Sequence, residues 1–404
     1  MSEQPQYDVL IIGGGMVGAT LACALGELPL RVGLIDPAGQ PATATPDKFD
    51  LRVSAITRAS QRVFMALGVW EAMAACRVSP FREMHVWEGR HALHFDSADL
   101  SEPYLGHIIE NSVITASLYA RLTQQANLSL WLGQSCQRLE RNDATWRVQL
   151  ADGTNLSASL LVGADGSRSW LRQQLGITVR GWDYAQAALV TYVKTQQPHQ
   201  ATAWQRFLPQ GPLAFLPLTD GYSSIVWSTA PEHAAQLCQL DAAQFAQQLE
   251  HAFESRLGAI TEVGPRATFP LRFLMAERYV QDGMALVGDA AHTMHPLAGQ
   301  GVNLGLLDAA ALAEVIADAQ TARRDIASLQ TLRRYERWRK AENMSMLVMV
   351  DQLQRLYGLQ QPAWRWLRDS GMGVINSLAP LKHELIEHAM GNRGDLPRLA
   401  RGVG

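Results

Sequence analysis

The sequence predicts an α/β fold: a Rossmann-like, parallel-sheet domain interleaved with an antiparallel-sheet domain and followed by a helical C-terminal region. Three observations carry this. A β-branched run, a glycine-rich turn and a small-residue helix open the chain between Asp8 and Leu25. Text rich in Val, Thr, Trp and Phe fills about Ala187 to Thr229. After residue 300, apolar residues recur at helical spacing. No internal repeat or low-complexity linker separates these blocks, so the domains should interleave rather than follow in series.

Asp8-Val9-Leu10-Ile11-Ile12 suits a buried parallel strand. Glycines and the helix Met16 to Leu25 follow, and a second strand, Arg31 to Ile35, ends at Asp36, completing a βαβ unit. Thr145 to Leu150 alternates apolar and polar, Ala151-Asp152-Gly153 turns, and Leu156 to Val162 returns as a strand that leads into Gly163-Ala164-Asp165-Gly166. Turns at Pro209-Gln210-Gly211 and Thr219-Asp220-Gly221 divide an antiparallel sheet. Met346, Met349, Val350, Leu353 and Tyr357 form an amphipathic stripe near the end.

Bulk properties exclude several classes. The chain has 404 residues, enough for two or three domains and a large core. At 47% hydrophobic and 18% charged it does not read as disordered. A net charge of -3 gives no basic field for nucleic acid. Cys23, Cys76, Cys136 and Cys238 stand far apart without CxxC spacing, which argues against a zinc site or disulfide framework and suits a reducing compartment. Val9 to Gly26 is uncharged and nearly long enough to span a bilayer. Its five glycines, and Glu3 and Asp8 before it, argue against a signal peptide or spanning helix. The expectation is a cytoplasmic protein, at most peripheral to a membrane.

Three motifs carry chemistry. Gly13-Gly14-Gly15-Met16-Val17-Gly18 fits GxGxxG after a strand and before a helix, and Asp36 closes the next strand eighteen residues later. Gly13 permits the turn, Gly15 admits a pyrophosphate, and Gly18 lets helix and strand pack; Asp36 can accept ribose hydroxyls. Asp165 and Asp289 each follow an apolar strand, where doubly wound sheets bind ligands. Beyond Asp289 lie His292, His295, Pro296 and Leu297 to Asn303. The residues by themselves do not choose between FAD and NAD.

GxGxxG, then Asp165-Gly166, then Gly288-Asp289-Ala290-Ala291-His292 with a proline and Gly299-Gln300-Gly301-Val302-Asn303, resembles the flavoprotein aromatic hydroxylases. The order of motifs matches along the whole chain. Asp50 to Ile56, Arg82 to Trp87, Thr202 to Phe207 and Tyr335 to Asn343 look like the bacterial ubiquinone-biosynthesis hydroxylases, which act on polyprenylated phenols.

That resemblance implies an FAD-binding domain at 1–75, 106–180 and 280–330, a substrate-binding sheet domain at 76–105 and 181–279, and a helical region at 331–404. It gives Gly13, Gly15, Gly18 and Asp36 the ADP half of FAD, Arg52 the flavin nucleotide, and Gly288-Asp289 the ribityl chain. Pro296 and Gly299, Gln300, Gly301, Val302 and Asn303 would lie against the isoalloxazine ring. Asp165 would serve FAD and NAD(P)H, and part of Leu105 to Leu122 would touch FAD. The implied reaction uses NAD(P)H and O2 through a flavin C4a-hydroperoxide to hydroxylate a polyprenylated phenol or quinol, with the chemistry on the cofactor rather than on a side-chain nucleophile. No second GxGxxG is present, which fits transient NAD(P)H use in a shared groove. Contact with other quinone-biosynthesis proteins, with the inner-membrane surface and with a second copy of the chain stays open.

Alternatives stand beside this. Hydroxylation of a small soluble aromatic, a weakly catalytic flavin-binding scaffold and a flavin amine oxidase are the others. His292 and His295 have i, i+3 spacing, but only Asp289 offers a further ligand and Pro296 disfavours helix at His295. No metal is expected: His292 should pack or hydrogen-bond within the fold, while His295 keeps acid–base chemistry or substrate contact open. Trp204, Arg206, Phe207, Phe215, Pro217 and Trp227 are the substrate-pocket candidates, with sheet core the equal alternative. Trp364-Arg365-Trp366 is only a fragment of the WxWxIP signature of flavin halogenases. Arg333, Arg334, Arg337, Arg339 and Lys340 read as a solvated face with Glu336 and Glu342, or as a contact for anionic lipid.

Overall fold

The computed structural model describes residues 6–41, 49–89, 91–294, 300–358, 387, 390–392 and 394–402. Three sheets organise them. The first runs β18 (Val280–Gln281), β19 (Met284–Leu286), β11 (Asn155–Gly163), β1 (Tyr7–Ile12), β2 (Val32–Asp36) and β8 (Leu128–Leu132). β10 (Thr145–Leu150) joins the start of β11 antiparallel, and β9 (Cys136–Asn142) joins β10. The run from β19 to β8 is parallel. Val9, Leu10 and Ile11 are fully buried, as a parallel strand covered on both faces requires. α1 (Met16–Leu25) crosses from β1 to β2 and packs on α4 (Asn111–Leu122) and α8 (Gln300–Thr321).

The second sheet runs β20 (His292–Thr293), β17 (Ala267–Ala276), β12 (Val179–Thr195), β15 (Tyr222–Thr229), β14 (Gly211–Pro217), β13 (Thr202–Leu208), β5 (Glu83–Glu88) and β6 (His91–Asp96), with β16 (Ile260–Val263) on β12. Its pairs are antiparallel except β13 with β5. The turns at 209–211 and 219–221 form as expected: Leu208 pairs with Gly211, and Asp220 and Gly221 take the positive φ that turns demand. α6 (Pro231–Gln239) and α7 (Ala242–Ala252) cover one face, packing Leu237, Phe245 and Leu249 on Leu189, Phe215 and Trp227. The third sheet is β3 (Val53–Thr57), β7 (Gly106–Glu110) and β4 (Ser79–Phe81). Among the described residues the remaining α-helices are α2 (Arg58–Ala66), α3 (Trp70–Cys76), α5 (Trp170–Gln174), α9 (Leu329–Gly358) and α10 (Arg398–Arg401).

Sheet membership crosses the domain limits expected from sequence at three points. Ser79–Phe81 pairs with β7 in the third sheet, β12 already belongs to the second sheet at Val179, and His292–Thr293 pairs with β17 rather than with the first sheet. The chain changes sheet inside continuous segments, so no linker marks the change. Among the described residues no helix is long and apolar enough to cross a membrane. Trp364 to Trp366, and every side chain of the Met346 stripe beyond Met346 itself, lie outside the described residues.

Candidate active site

The glycine turn at the end of β1 is fixed by close approaches. Gly13 has φ +105°, and a Cβ on it would stand 2.4 Å from the Ala164 carbonyl oxygen. A Cβ on Gly18 would meet the Gly13 carbonyl oxygen at 1.9 Å, so the helix rests directly on the turn. Gly15 differs: no atom lies within 4 Å of the place its Cβ would take. It is the N-cap of α1, which has no side-chain cap and no acid in its first turn. Open space meets uncapped N–H donors there, the arrangement that accepts a phosphate. Asp36 accepts from the backbone N–H groups of Gly14 and Ala38, one per carboxylate oxygen, so lone pairs remain for hydroxyl donors.

Two acid-bearing loops adjoin this turn. Ser169 caps α5, and Asp165 accepts from the Leu171 N–H of its first turn at 3.1 Å. Burial pushes its carboxyl up, against the hydrogen bonds from Ser169 and Leu171. Arg172, which the sequence did not single out, is buried and donates to the carbonyls of Ser167 at 2.6 Å and Ala290 at 2.8 Å. It ties the two loops together. Gly288 turns with φ +57° and, with Gly305, clasps the Val17 side chain of α1. Asp289 lines the cavity described below and is exposed in the empty protein, with protein packed around its carboxyl. That desolvation raises its carboxyl, while His292 and Arg52 pull it down.

His292 is 1% exposed and its Nε2 meets Asp308 Oδ2 at 2.5 Å. Asp308 also accepts from Arg339 Nε at 2.9 Å, Asn343 Nδ2 at 3.0 Å and the Gly288 N–H at 3.2 Å. Burial opposes its charge, yet His292 and Arg339 hold the carboxyl below its ordinary range. His292 is therefore a buried structural partner, as expected, and among the described residues no cluster suits a metal ion. Arg339 corrects the expectation of a solvated basic face: it is 2% exposed and points into this network. Lys340 donates to the Glu277 carbonyl, and Glu336 accepts the Tyr279 N–H. Helix α9 turns these residues to the core and leaves Arg333, Arg334 and Arg337 outside.

A cavity of about 390 Å³ opens between the first and second sheets. Of the predicted cofactor residues, Gly15, Arg52, Asp289, Gly301 and Val302 line it; Gly166 and Ala164 do so beside Asp165. Asn111, at the start of α4 and within the Leu105 to Leu122 stretch, lines the cavity; its Oδ1 accepts from Ser54 Oγ at 2.7 Å. Asn303 is directed elsewhere: its amide donates to the Ala55 carbonyl and accepts from Thr57, joining α8 to β3. His295, Pro296, Gly299 and the Gln300 side chain lie outside the described residues.

The second sheet's contribution differs from the sequence expectation. None of Trp204, Arg206, Phe207, Phe215, Pro217 and Trp227 lines the cavity. Trp204, Phe215 and Trp227 pack on the face covered by α6 and α7, and Arg206 pairs with Glu254 at 2.7 Å there. Phe207 belongs to the main core, and Pro217 ends β14 opposite Ser223. The cavity wall is instead Ala188, Val190, Ser224, Val226, Phe269 and Leu271. Neighbouring strand residues point to opposite faces, so Val226 faces this cavity while Trp227, with Arg206, lines a separate cavity of about 730 Å³ on the other face. One signal was available: from Ser224 to Ser228 the even positions Ser224, Val226 and Ser228 are small, and the odd positions Ile225 and Trp227 are large. Small residues leave room for a ligand.

Comparison with known proteins places this geometry. Residues 6–348 match the family described as "FAD binding domain". The chain is 38% identical over 392 residues to a 3-demethoxyubiquinol 3-hydroxylase of Escherichia coli (strain K12), covering 97% of this chain and 100% of that one. It is 38% identical to the ubiquinone hydroxylase UbiL of Rhodospirillum rubrum, covering 98% and 93%. Among solved structures, p-nitrophenol 4-monooxygenase from Pseudomonas putida superposes with a TM-score of 0.77 at 20% identity, covering 96% of this chain and 99% of that one, which shows the shared fold.

Proposed function

The chain belongs to the FAD-dependent aromatic hydroxylases, among the ubiquinone-biosynthesis hydroxylases, and from that premise we propose that its open cavity is where a polyprenylated phenol or quinol meets the flavin. It is an FAD-dependent monooxygenase that draws on NAD(P)H and O2. Bound FAD supplies the redox and oxygen-transfer chemistry; the protein supplies binding, orientation and exclusion of water.

The residues present fit that cofactor. Gly15 and the uncapped start of α1 would take the pyrophosphate, and Asp36 the ribose hydroxyls. Asp289, with Arg52 beside it, would accept the hydroxyls of the ribityl chain. Asn111, its Oδ1 already occupied by Ser54, keeps its amide N–H for a ligand. Arg172, Asp308 and Asn303 position these loops without facing the cavity. Ala188, Val190, Val226 and Leu271 form an apolar wall that would hold an aromatic ring and keep water from it.

The observation that carries this reading is the meeting of the Gly15 turn and Asp289 with an apolar sheet face in one cavity. The test is direct. Purified protein loaded with FAD should oxidise NAD(P)H faster when a prenylated phenol is added, with O2 consumed and one oxygen found in the product. Turnover of small aromatics alone, with no prenylated phenol accepted, would replace this substrate class; NAD(P)H oxidation with no hydroxylated product would favour a scaffold.

A further inference from the structure

A cavity of about 390 Å³ has to take a flavin edge and an aromatic ring. That volume lies near the lower end for drug-sized ligands, so an isoprenoid chain of several units must leave it. Strand β17 shows a way out. Phe269 and Leu271 line the cavity, and Phe273 continues the same face. Opposite Phe273 on β12 stands Trp182, its ring stacked on the phenylalanine at 4.1 Å between centroids and 9° between planes. Tyr184 meets Trp182 edge-on at 6.2 Å.

The register keeps this strip on one face. A bulge between Asp183 and Gln186, with Ala185 at φ 51°, sets Trp182 opposite Phe273 and Ala188 opposite Phe269. Both pairs therefore belong to the face that lines the cavity. Among the described residues, β12 before the bulge pairs only with β17, because β15 joins it from Ala187 onward. The strip thus reaches a sheet edge. From Phe269 to Phe273 it covers four residues, roughly 13 Å at the usual strand rise. Phe269 is 38% and Trp182 41% exposed, while Phe273 between them is 9% exposed. Exposed aromatic surface at Trp182, one buried phenylalanine beyond the cavity wall, is the kind of patch that marks a contact site. The strip ends where Arg180 meets Glu277 in a surface ion pair.

Resting on the hydroxylase reading above, we propose that Phe269, Phe273 and Trp182 form the subsite for the substrate's isoprenoid tail, which leaves the cavity along β17 and crosses the Trp182 ring at the surface. The ring is held in the cavity, and tail length is sensed outside it.

Steady-state kinetics with one phenol carrying a long isoprenoid tail, a single isoprene unit or no tail tests this. In Trp182→Ala the KM for the long-tailed phenol should rise about tenfold, while kcat and KM for the short and tailless phenols stay within about twofold. Trp182→Phe, which keeps an aromatic face on Phe273, should recover most of the long-tail KM. Equal effects at all tail lengths, or none at any, overturn the subsite. A long-tailed phenol with a photoreactive group at its tail end gives a second measurement on the unsubstituted protein. Label between Val179 and Tyr184 supports the subsite, and label confined elsewhere overturns it. If the unsubstituted protein hydroxylates no prenylated phenol, the hydroxylase reading fails first; if it does and Trp182 does not discriminate tail length, only the subsite fails.

Discussion

The two faces of the second sheet are built by the same strands and do opposite things. On one face Phe215 stacks on Phe253 at 3.7 Å, Trp87 and Trp204 fit around them, and α6 and α7 pack over the layer, which opens beside Trp227 and His233 into a second cavity. On the other, Ala188, Val190, Ser224 and Val226 leave a cavity. Residues one position apart, Trp227 and Val226, are core and cavity wall. On this sheet Phe215, Trp204 and Trp227 mark the face that α6 and α7 cover, while Ala188, Ser224 and Val226, with Phe269 and Leu271 beside them, mark the face that opens on the cavity.

Four substitutions would break or sharpen that contrast. Phe215→Ala should have the largest effect, about 4 kcal/mol of stability lost through an unfilled core site. Denaturant unfolding would measure it, and FAD affinity of the folded fraction should hold. Val226→Phe, on the opposite face, should reverse the pattern. Unfolding should change by less than about 1 kcal/mol, while kcat/KM for the aromatic substrate falls about a hundredfold, or roughly 2.7 kcal/mol of transition-state binding. If Val226→Phe instead unfolds the protein while turnover of the folded fraction is normal, the two faces have been assigned the wrong way round.

Asp289→Asn comes next. Loss of a charged acceptor should weaken FAD about tenfold, read by fluorescence titration. Its effect on the empty protein has the opposite sign. Burial raises the Asp289 carboxyl, so its contribution to folding is present below the ordinary value of 3.8 and lost as pH rises through the higher folded value. At neutral pH the ionised form is therefore a burden on the empty fold, and the asparagine variant should melt higher without FAD. An unchanged or lower melting temperature would mean that Arg52 and His292 already offset the burial. Gly15→Ala should have the smallest effect. Its φ of -64° suits alanine and no atom crowds the new methyl, so stability should be kept while FAD affinity falls several-fold. A destabilised protein with unchanged affinity would remove Gly15 from the cofactor path.

Much of the cofactor side was legible because its signals are local. Gly13 and Gly18 are required by the backbone within a single βαβ unit, and Asp36 follows at the end of the next strand. Asp289 follows its strand in the same way and lines the cavity. Asp308 was not legible. It sits in the alanine-rich run of α8 and gains its role only when His292, Arg339 and Asn343 arrive from 16, 31 and 35 residues away. Arg172 was missed for the same reason, since one of its two carbonyl partners lies 118 residues off.

The sequence by itself determined the βαβ opening, the order of the glycine and acid motifs, the antiparallel block and, through the family they match, the flavin chemistry. These rest on backbone sterics and short-range patterning, which a few consecutive residues specify. Only the tertiary structure decided which face of the second sheet opens on the cavity, that Asp289 lines it while Asp308 is locked in the core, and that Trp182 stacks on Phe273 beyond the cavity wall. Strand alternation divides residues into two sets but does not say which set is covered. The packing of α6 and α7 on one side, and of the parallel-sheet domain on the other, makes that choice.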